Sequence, residues 1–151
     1  MTWRRAGGFF ILRLACGEDI PTEVAGFVRR QKVRSGVVSG IGAASDIELG
    51  YFHLKERRYA RKRIKAECEV ASIAGNIAWA GADPVCHLHA IVTDSRMRAW
   101  GGHLFAARVA ATCEVCIVPG RTSLKRAVDP STGLKLLDLA PAAPARRGRS
   151  A

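Results

Sequence analysis

The chain has 151 residues, which is enough for one domain with a sizeable hydrophobic core. Its 24 Lys and Arg against 13 Asp and Glu give a net charge of +11, which favours anionic partners such as nucleic acid but does not indicate a fold. Because no apolar run approaches the roughly 20 residues of a spanning helix, and no convincing leader is present, we expect a cytoplasmic protein without a membrane segment. The five scattered cysteines favour reduced thiols over a disulfide framework.

The first third of the chain predicts a strand followed by a helix. Residues 8–16 are mostly apolar and predict the strand. The helix is predicted over Ile20 to Val33, because apolar residues recur at helical spacing at Val24, Phe27 and Val28. Asp19 can cap its start, and Gly36 can end it.

The rest of the chain predicts mainly strands, which lie at 36–43, 45–54, 67–79, 85–92 and 107–119, with short ones possible at 121–126 and 134–139. Gly75 and Asn76 are typical of a turn or a bulge. Many strands with one long helix indicate an α+β domain on a curled, mainly antiparallel sheet. We place the domain at residues 1–139 and a basic disordered tail at 140–151.

Three of the four histidines lie within residues 84–104 and suggest a metal site. On a strand, His87 and His89 point to the same face, because side chains alternate. His103 follows a Gly-Gly pair and can return to them as a third ligand, which leaves one coordination position open. Imidazole ligands favour a divalent metal, Zn²⁺ above others. The alternative is three histidines hydrogen-bonded in a pocket or an interface.

Glu114 is the candidate catalytic carboxylate, because it lies in an otherwise apolar strand. A buried carboxylate near a metal can carry protons, whereas the structural alternative is a salt bridge to an arginine such as Arg126. Tyr51, Tyr59 and Asn76 are weaker candidates. The Cys113-x-x-Cys116 pair is unlike a chelating or redox pair, because residues three apart on a strand point to opposite faces.

A second candidate surface is the basic run at 55–65, which contains seven basic residues and one acidic residue. On a hairpin this run presents charge to phosphates, although most charge runs are simply solvated. The candidate nucleic-acid-binding residues are Arg57, Arg58, Arg61, Lys62, Arg63 and Lys65. The tail adds Arg146, Arg147 and Arg149, a weak match to an AT-hook core without its proline.

Several stretches together resemble the PPC domain, the module conserved between plants and prokaryotes. They are GEDI at 17–20, GIGA at 40–43, LGYF at 49–52, Tyr59, Glu69-Val70, Gly75-Asn76, HLHA at 87–90, GGHL at 101–104 and TCEV at 112–115. The stretch KRAVDPSTGLKLL at 125–137 is similar to the family's C-terminal extension. The resemblance implies a sheet of seven or eight strands with one or two helices, assembled as a homotrimer. The plant proteins carry separate AT-hooks, and bacterial members keep the HxH…GGH pattern. The fold is also similar to that of acetolactate decarboxylase, whose metal is held by a comparable arrangement of histidines.

Two functions follow, and they can coexist on different surfaces. The leading one is a trimeric protein that contacts DNA or RNA through basic patches with little sequence specificity, because family and charge agree. The alternative is a metal-dependent enzyme or small-ligand-binding protein that uses the three histidines. The sequence leaves open whether the protein is an enzyme, and which ligand it takes.

Overall fold

One helix and nine strands make up residues 1–139, the part of the chain that the computed structural model describes. In chain order they are β1 (Thr2–Ala6), β2 (Phe9–Ala15), α1 (Ile20–Arg30), β3 (Gly36–His53), β4 (Arg58–Ile64), β5 (Cys68–Ala80), β6 (Asp83–Thr93), β7 (Ala99–Pro119), β8 (Lys125–Val128) and β9 (Lys135–Asp138). The predicted α+β class is confirmed. The tail predicted at 140–151 lies outside the described residues.

All nine described strands join one sheet, in the order β1-β2-β7-β3-β5-β8-β9, with β4 added to β3 and β6 paired with both β5 and β7. Every pair is antiparallel except a single parallel contact between β5 and β8. The two long strands, β3 and β7, pair along most of their length, and the register shifts between Gly42 and Leu49. Such bulges bend a strand and increase its twist, so the sheet curls around its own core.

The helix covers one side of this core. The side chain of Asp19 caps it by accepting from the backbone N–H of Thr22, and Pro21 stands in its first turn. Its buried face consists of Ile20, Val24, Phe27 and Val28. The helix ends at Arg30, three residues before the predicted end at Val33. Lys32, two residues after Arg30, adopts a left-handed backbone conformation that does not continue a helix.

Two sequence-based expectations differ from the structure. The strands predicted at 36–43 and 45–54 are one continuous strand, because the break is a bulge with Asp46 at φ +48°. Gly75 and Asn76 lie inside β5 and not in a turn, so the turn expected there is wrong. A glycine is needed at 75 because a Cβ there would lie 2.2 Å from the carbonyl oxygen of His87 on β6.

The cysteines agree with the expectation of free thiols, since all five are unpaired in the described residues. Cys113 is fully buried and Cys116 is on the other face of β7, as the spacing predicts. Burial raises the pKa of the Cys113 thiol to about 11. No helix among the described residues is long and apolar enough to cross a membrane.

Candidate metal centre

Strands β6 and β7 bring the three predicted histidines together on the outer face of the sheet. Leu88, between His87 and His89, is buried, so both histidines point outward. A turn of five residues then reverses the chain, and the register places His103 directly opposite His89. The Asp94 carboxylate fixes this turn by accepting from the backbone N–H groups of Arg96 and Arg98.

The geometry of the three imidazoles suits a metal. Each histidine offers a ring nitrogen within 4.8 Å of those offered by the other two. The Nε2 atoms of His87 and His89 are 3.2 Å apart. That separation is close to the roughly 3.3 Å expected between two nitrogens that share a tetrahedral Zn²⁺, at metal–nitrogen distances of about 2.0–2.1 Å. A hydrogen bond between two neutral imidazoles has the same length.

The protonation state also suits metal binding. The pKa of His103 is lowered from 6.5 to about 4, chiefly by burial, with smaller contributions from His87, His89 and Arg61. The pKa of His87 is lowered by burial, then by Arg126 and His89. Both rings are therefore neutral near pH 7 and can donate a lone pair. The Nδ1 atom of His103 is buried and has no hydrogen-bond partner among the described residues.

An aromatic wall holds His103 from the side of β4. The ring centroids of Tyr59 and Phe105 lie 5.3 Å and 4.6 Å from that of His103, and 4.9 Å from each other. Phe105 fits there because Gly50 has no side chain: a Cβ would approach its ring to 2.4 Å. The guanidinium of Arg61 covers the other side of Phe105, at 3.9 Å. The wall restricts the orientation of the His103 ring.

The opposite side of the site is formed by the β8–β9 hairpin. Arg126 on β8 donates to the Oδ1 atom of Asn76 at 2.6 Å and to the backbone carbonyl of Lys135 at 2.7 Å. A cavity of about 310 Å³ lies between this hairpin, His87 and His103. From the sequence, Arg126 is a candidate only as a partner for Glu114, because no local pattern links residue 126 to the histidines.

Glu114 lies elsewhere on the outer face. It is exposed, so the expectation that it is buried near the metal is wrong for a single chain. The part of β7 near Glu114 is reached from the histidine strand β6 through the successive pairs His89–Ala74, Ala74–Ser39 and Ser39–Cys116. Three strand spacings of about 4.8 Å, or about 14 Å measured along the sheet, separate His89 from Cys116, which is two residues from Glu114. The alternative salt bridge between Glu114 and Arg126 is absent from the described residues too.

The predicted basic hairpin exists, but half of its candidate cations are already paired. Arg58 contacts Glu56, Arg61 contacts Glu48 at 2.6 Å, and Arg63 contacts Asp46 at 3.1 Å. Arg57, Lys62 and Lys65 make no ion pair within residues 1–139. Lys62 lies over the ring of Trp100, with Nζ 5.1 Å from its centroid. The free positive charge is therefore smaller than the sequence alone suggests.

Solved structures and curated sequences resemble this chain over most of its length. The "putative DNA binding protein" of Bacteroides thetaiotaomicron superposes with a TM-score of 0.88 at 26% identity, covering 91% of this chain and 96% of that one. A metal-containing protein of Archaeoglobus fulgidus superposes with a TM-score of 0.81 at 30% identity, covering 92% and 99%.

Among curated sequences, the bifunctional protein GlmU of Synechococcus sp. (strain JA-3-3Ab) is 30% identical over 125 residues. The match covers 81% of this chain but only 19% of that protein, so the chain spans about a fifth of the length of this relative. Residues 1–120 match the Plants and Prokaryotes Conserved (PCC) domain as a whole. The chain therefore belongs to the PCC domain family.

Proposed function

We propose that this chain binds a divalent metal, preferably Zn²⁺, through His87, His89 and His103, and presents it to a small ligand. The observation that carries the proposal is the convergence of three ring nitrogens within 4.8 Å. The lowered pKa values of His87 and His103 keep those rings neutral, and the buried Nδ1 of His103 has no hydrogen-bond partner within residues 1–139. Buried polar groups normally have partners.

Three imidazole ligands leave one coordination position for a ligand, on which the metal acts as a Lewis acid. The protein's own contribution is to orient and shield this position. Tyr59 and Phe105 fix the ring of His103, while the β8–β9 hairpin lines the cavity on the other side. Glu114 could act as a proton carrier only if another copy of the chain brought it to the histidines.

The test is the metal content of protein purified without an affinity tag. We expect about one divalent ion per chain, and its loss in His87→Ala and in His89→Ala. His53→Ala is the matched control, because His53 is the fourth histidine and lies outside the cluster, at the end of β3. Folded protein that contains no metal and takes up none in dialysis against Zn²⁺ contradicts the proposal.

Nucleic-acid binding is a second proposed function, supported by the net charge of +11 and by the name of the Bacteroides relative. The surface we propose is the basic hairpin, with Arg57, Lys62 and Lys65 as the cations that no carboxylate neutralises within residues 1–139. The paired cations can contribute only after their carboxylates are displaced. Because half of the candidate cations on the hairpin are already paired with carboxylates, the metal site is the better supported of the two functions.

We further propose that the protein assembles as a homotrimer in the cytoplasm. The resemblance implies this assembly, and an apolar ladder on the outer face supports it. The ladder consists of Val37, Ile41 and Val118, which are 61%, 58% and 52% exposed. Val37 and Val118 are directly opposite each other on β3 and β7. Exposed apolar side chains grouped on a sheet are typical of an interface.

A further inference from the structure

Among residues 1–139, Arg126 is a half-buried cation without an anionic partner. Its two hydrogen bonds go to neutral oxygens, those of Asn76 and Lys135. Its Nε atom is buried and has no partner, and no carboxylate within residues 1–139 forms an ion pair with it. Removing a guanidinium from water is costly unless an anion compensates its charge. The structure therefore leaves Arg126 in need of an anion.

The position of Arg126 relative to His87 indicates where that anion belongs. The Nη2 atom of Arg126 lies 3.5 Å from the Nδ1 atom of His87, too far for a good hydrogen bond. The Nε2 atom of His87 points towards His89, and an imidazole that binds a metal through Nε2 carries its proton on Nδ1. The Nδ1–H group of His87 and the Nη2 group of Arg126 are then two hydrogen-bond donors that face each other, and one anionic oxygen between them accepts from both.

The cavity beside Arg126 limits the rest of the ligand. It measures about 310 Å³, which is enough for a small organic molecule. Its walls are largely apolar, through Val85, Leu134 and Leu136, and no Asp or Glu from residues 1–139 lines it. An inorganic oxyanion leaves these apolar walls without a contact, whereas a carboxylate with a hydrocarbon body uses both kinds of surface.

We propose that this cavity binds a small carboxylate with an apolar body, whose carboxylate is held by Arg126 beside the metal site. The inference rests on the proposed metal function and names the ligand class of the same site. Arg126 lies on β8, beyond residues 1–120 that match the family model, so that match does not assign it a role.

The test uses Co²⁺-loaded protein, because the visible spectrum of Co²⁺ reports on ligands near the metal. Benzoate is the carboxylate probe, benzamide its neutral counterpart and inorganic phosphate the competing anion. We expect benzoate to bind at least tenfold more tightly than either. Arg126→Gln should raise the benzoate Kd at least tenfold and leave the Co²⁺ content unchanged. Arg121→Gln is the matched control: Arg121 is exposed, does not line the cavity, and its loss removes the same charge.

The outcomes separate the two proposals. If the unaltered protein binds no Co²⁺, the metal function fails. If Co²⁺ binds but benzoate binds no better than benzamide, or equally well to Arg126→Gln, the carboxylate inference is overturned and the metal site stands. Tighter binding of phosphate also overturns the inference. If Arg126→Gln does not fold, Arg126→Lys replaces it, with a smaller expected loss because Lys keeps the charge but not the planar fork.

Discussion

A single glycine controls how close β5 and β6 can come behind the histidines. A Cβ on Gly75 would lie 2.2 Å from the carbonyl oxygen of His87 and 2.7 Å from Cδ2 of Leu88. The first of these atoms is backbone, so the strand itself has to move. Gly75, which the sequence suggests as part of a turn, is therefore required for the close packing of β5 against β6.

We therefore expect Gly75→Ala to destabilise the fold by about 1–3 kcal/mol, the usual cost of overpacking. Because the displaced backbone belongs to His87, metal affinity should fall as well. Urea denaturation and metal titration measure the two effects. Gly8→Ala is the control, since no atom of residues 1–139 lies within 4 Å of a Cβ at Gly8. Equal stability of the two variants would contradict the close contact seen at Gly75.

The depressed pKa of His103 predicts a pH dependence for the metal-free protein. The pKa is 6.5 for an ordinary histidine and about 4 for His103 in the folded chain, chiefly because of burial. Between these values the unfolded chain binds the proton and the folded chain does not, so acidification favours unfolding. The stabilising contribution is complete above pH 6.5 and is lost progressively as the pH falls towards about 4.

Thermal unfolding of metal-free protein checks this dependence. His103→Gln removes the titrating group, so its midpoint should fall less than that of the unaltered protein between pH 6.5 and pH 4. His53→Gln is the control, because His53 lies outside the histidine cluster. Parallel curves for the unaltered protein and His103→Gln would mean that His103 titrates normally in the folded state.

At the scale of elements, the six candidate cations of the basic β3–β4 hairpin form two groups of three. Arg58, Arg61 and Arg63 are paired with carboxylates. The other three are Arg57, Lys62 and Lys65. Replacing either group by Gln removes the same formal charge, so the two triple variants form a matched pair. Only the second group offers charge that is free within residues 1–139 to displace counterions from a phosphate backbone.

We expect the Arg57, Lys62 and Lys65 triple variant to weaken binding to a random-sequence DNA duplex. The slope of log K against log salt should become shallower by about 0.9 for each phosphate that the variant no longer neutralises. The other triple variant should change the slope less. Fluorescence anisotropy over a range of salt concentrations measures both. Absence of salt-dependent binding by the unaltered protein would contradict the nucleic-acid function, and equal effects of the two variants would contradict the distinction between the groups.

Local patterns explain why most elements were predictable from the sequence and why the full site was not. The helix follows from the spacing of Val24, Phe27 and Val28, and the shared face of His87 and His89 follows from strand alternation. The strand β1 was missed, because its polar sequence TWRRA has no buried face. The pairing of His103 with His89 depends on the register set by the turn after β6.

The position of Arg126 depends on a contact that no sequence pattern shows. The strand β8 joins the sheet by one parallel pair, Trp79 with Lys125, and by the backbone bond from Trp79 to Leu124. Trp79 and Lys125 are 46 residues apart in the sequence, and only the folded sheet brings them together. The histidines could therefore be named from the sequence, whereas the cation and the cavity beside them could not.

At the scale of the whole molecule, the curled sheet separates two surfaces with different roles. Its inner face packs against the helix and contains Val38, Leu88 and Val115, all nearly inaccessible. Its outer face carries both the histidine cluster and the apolar ladder of Val37, Ile41 and Val118. Removing the exposed apolar side chains of this ladder from water lowers the free energy, which favours association through the outer face. Such association would bury surface close to the metal site.

The trimer proposal predicts that one charge on the ladder dissociates the protein without unfolding it. Val37 is 61% exposed in the single chain and lies opposite Val118, so Val37→Arg should leave the fold intact but place a charge in the interface. Light scattering should give a mass about three times the 16.3 kDa of the chain for the unaltered protein, and the mass of one chain for the variant. Leu54→Arg is the control, because Leu54 is 69% exposed at the tip of the β3–β4 hairpin, away from the ladder. A monomeric unaltered protein would contradict the assembly, whereas a trimeric Val37→Arg variant would show that the subunits meet through another surface.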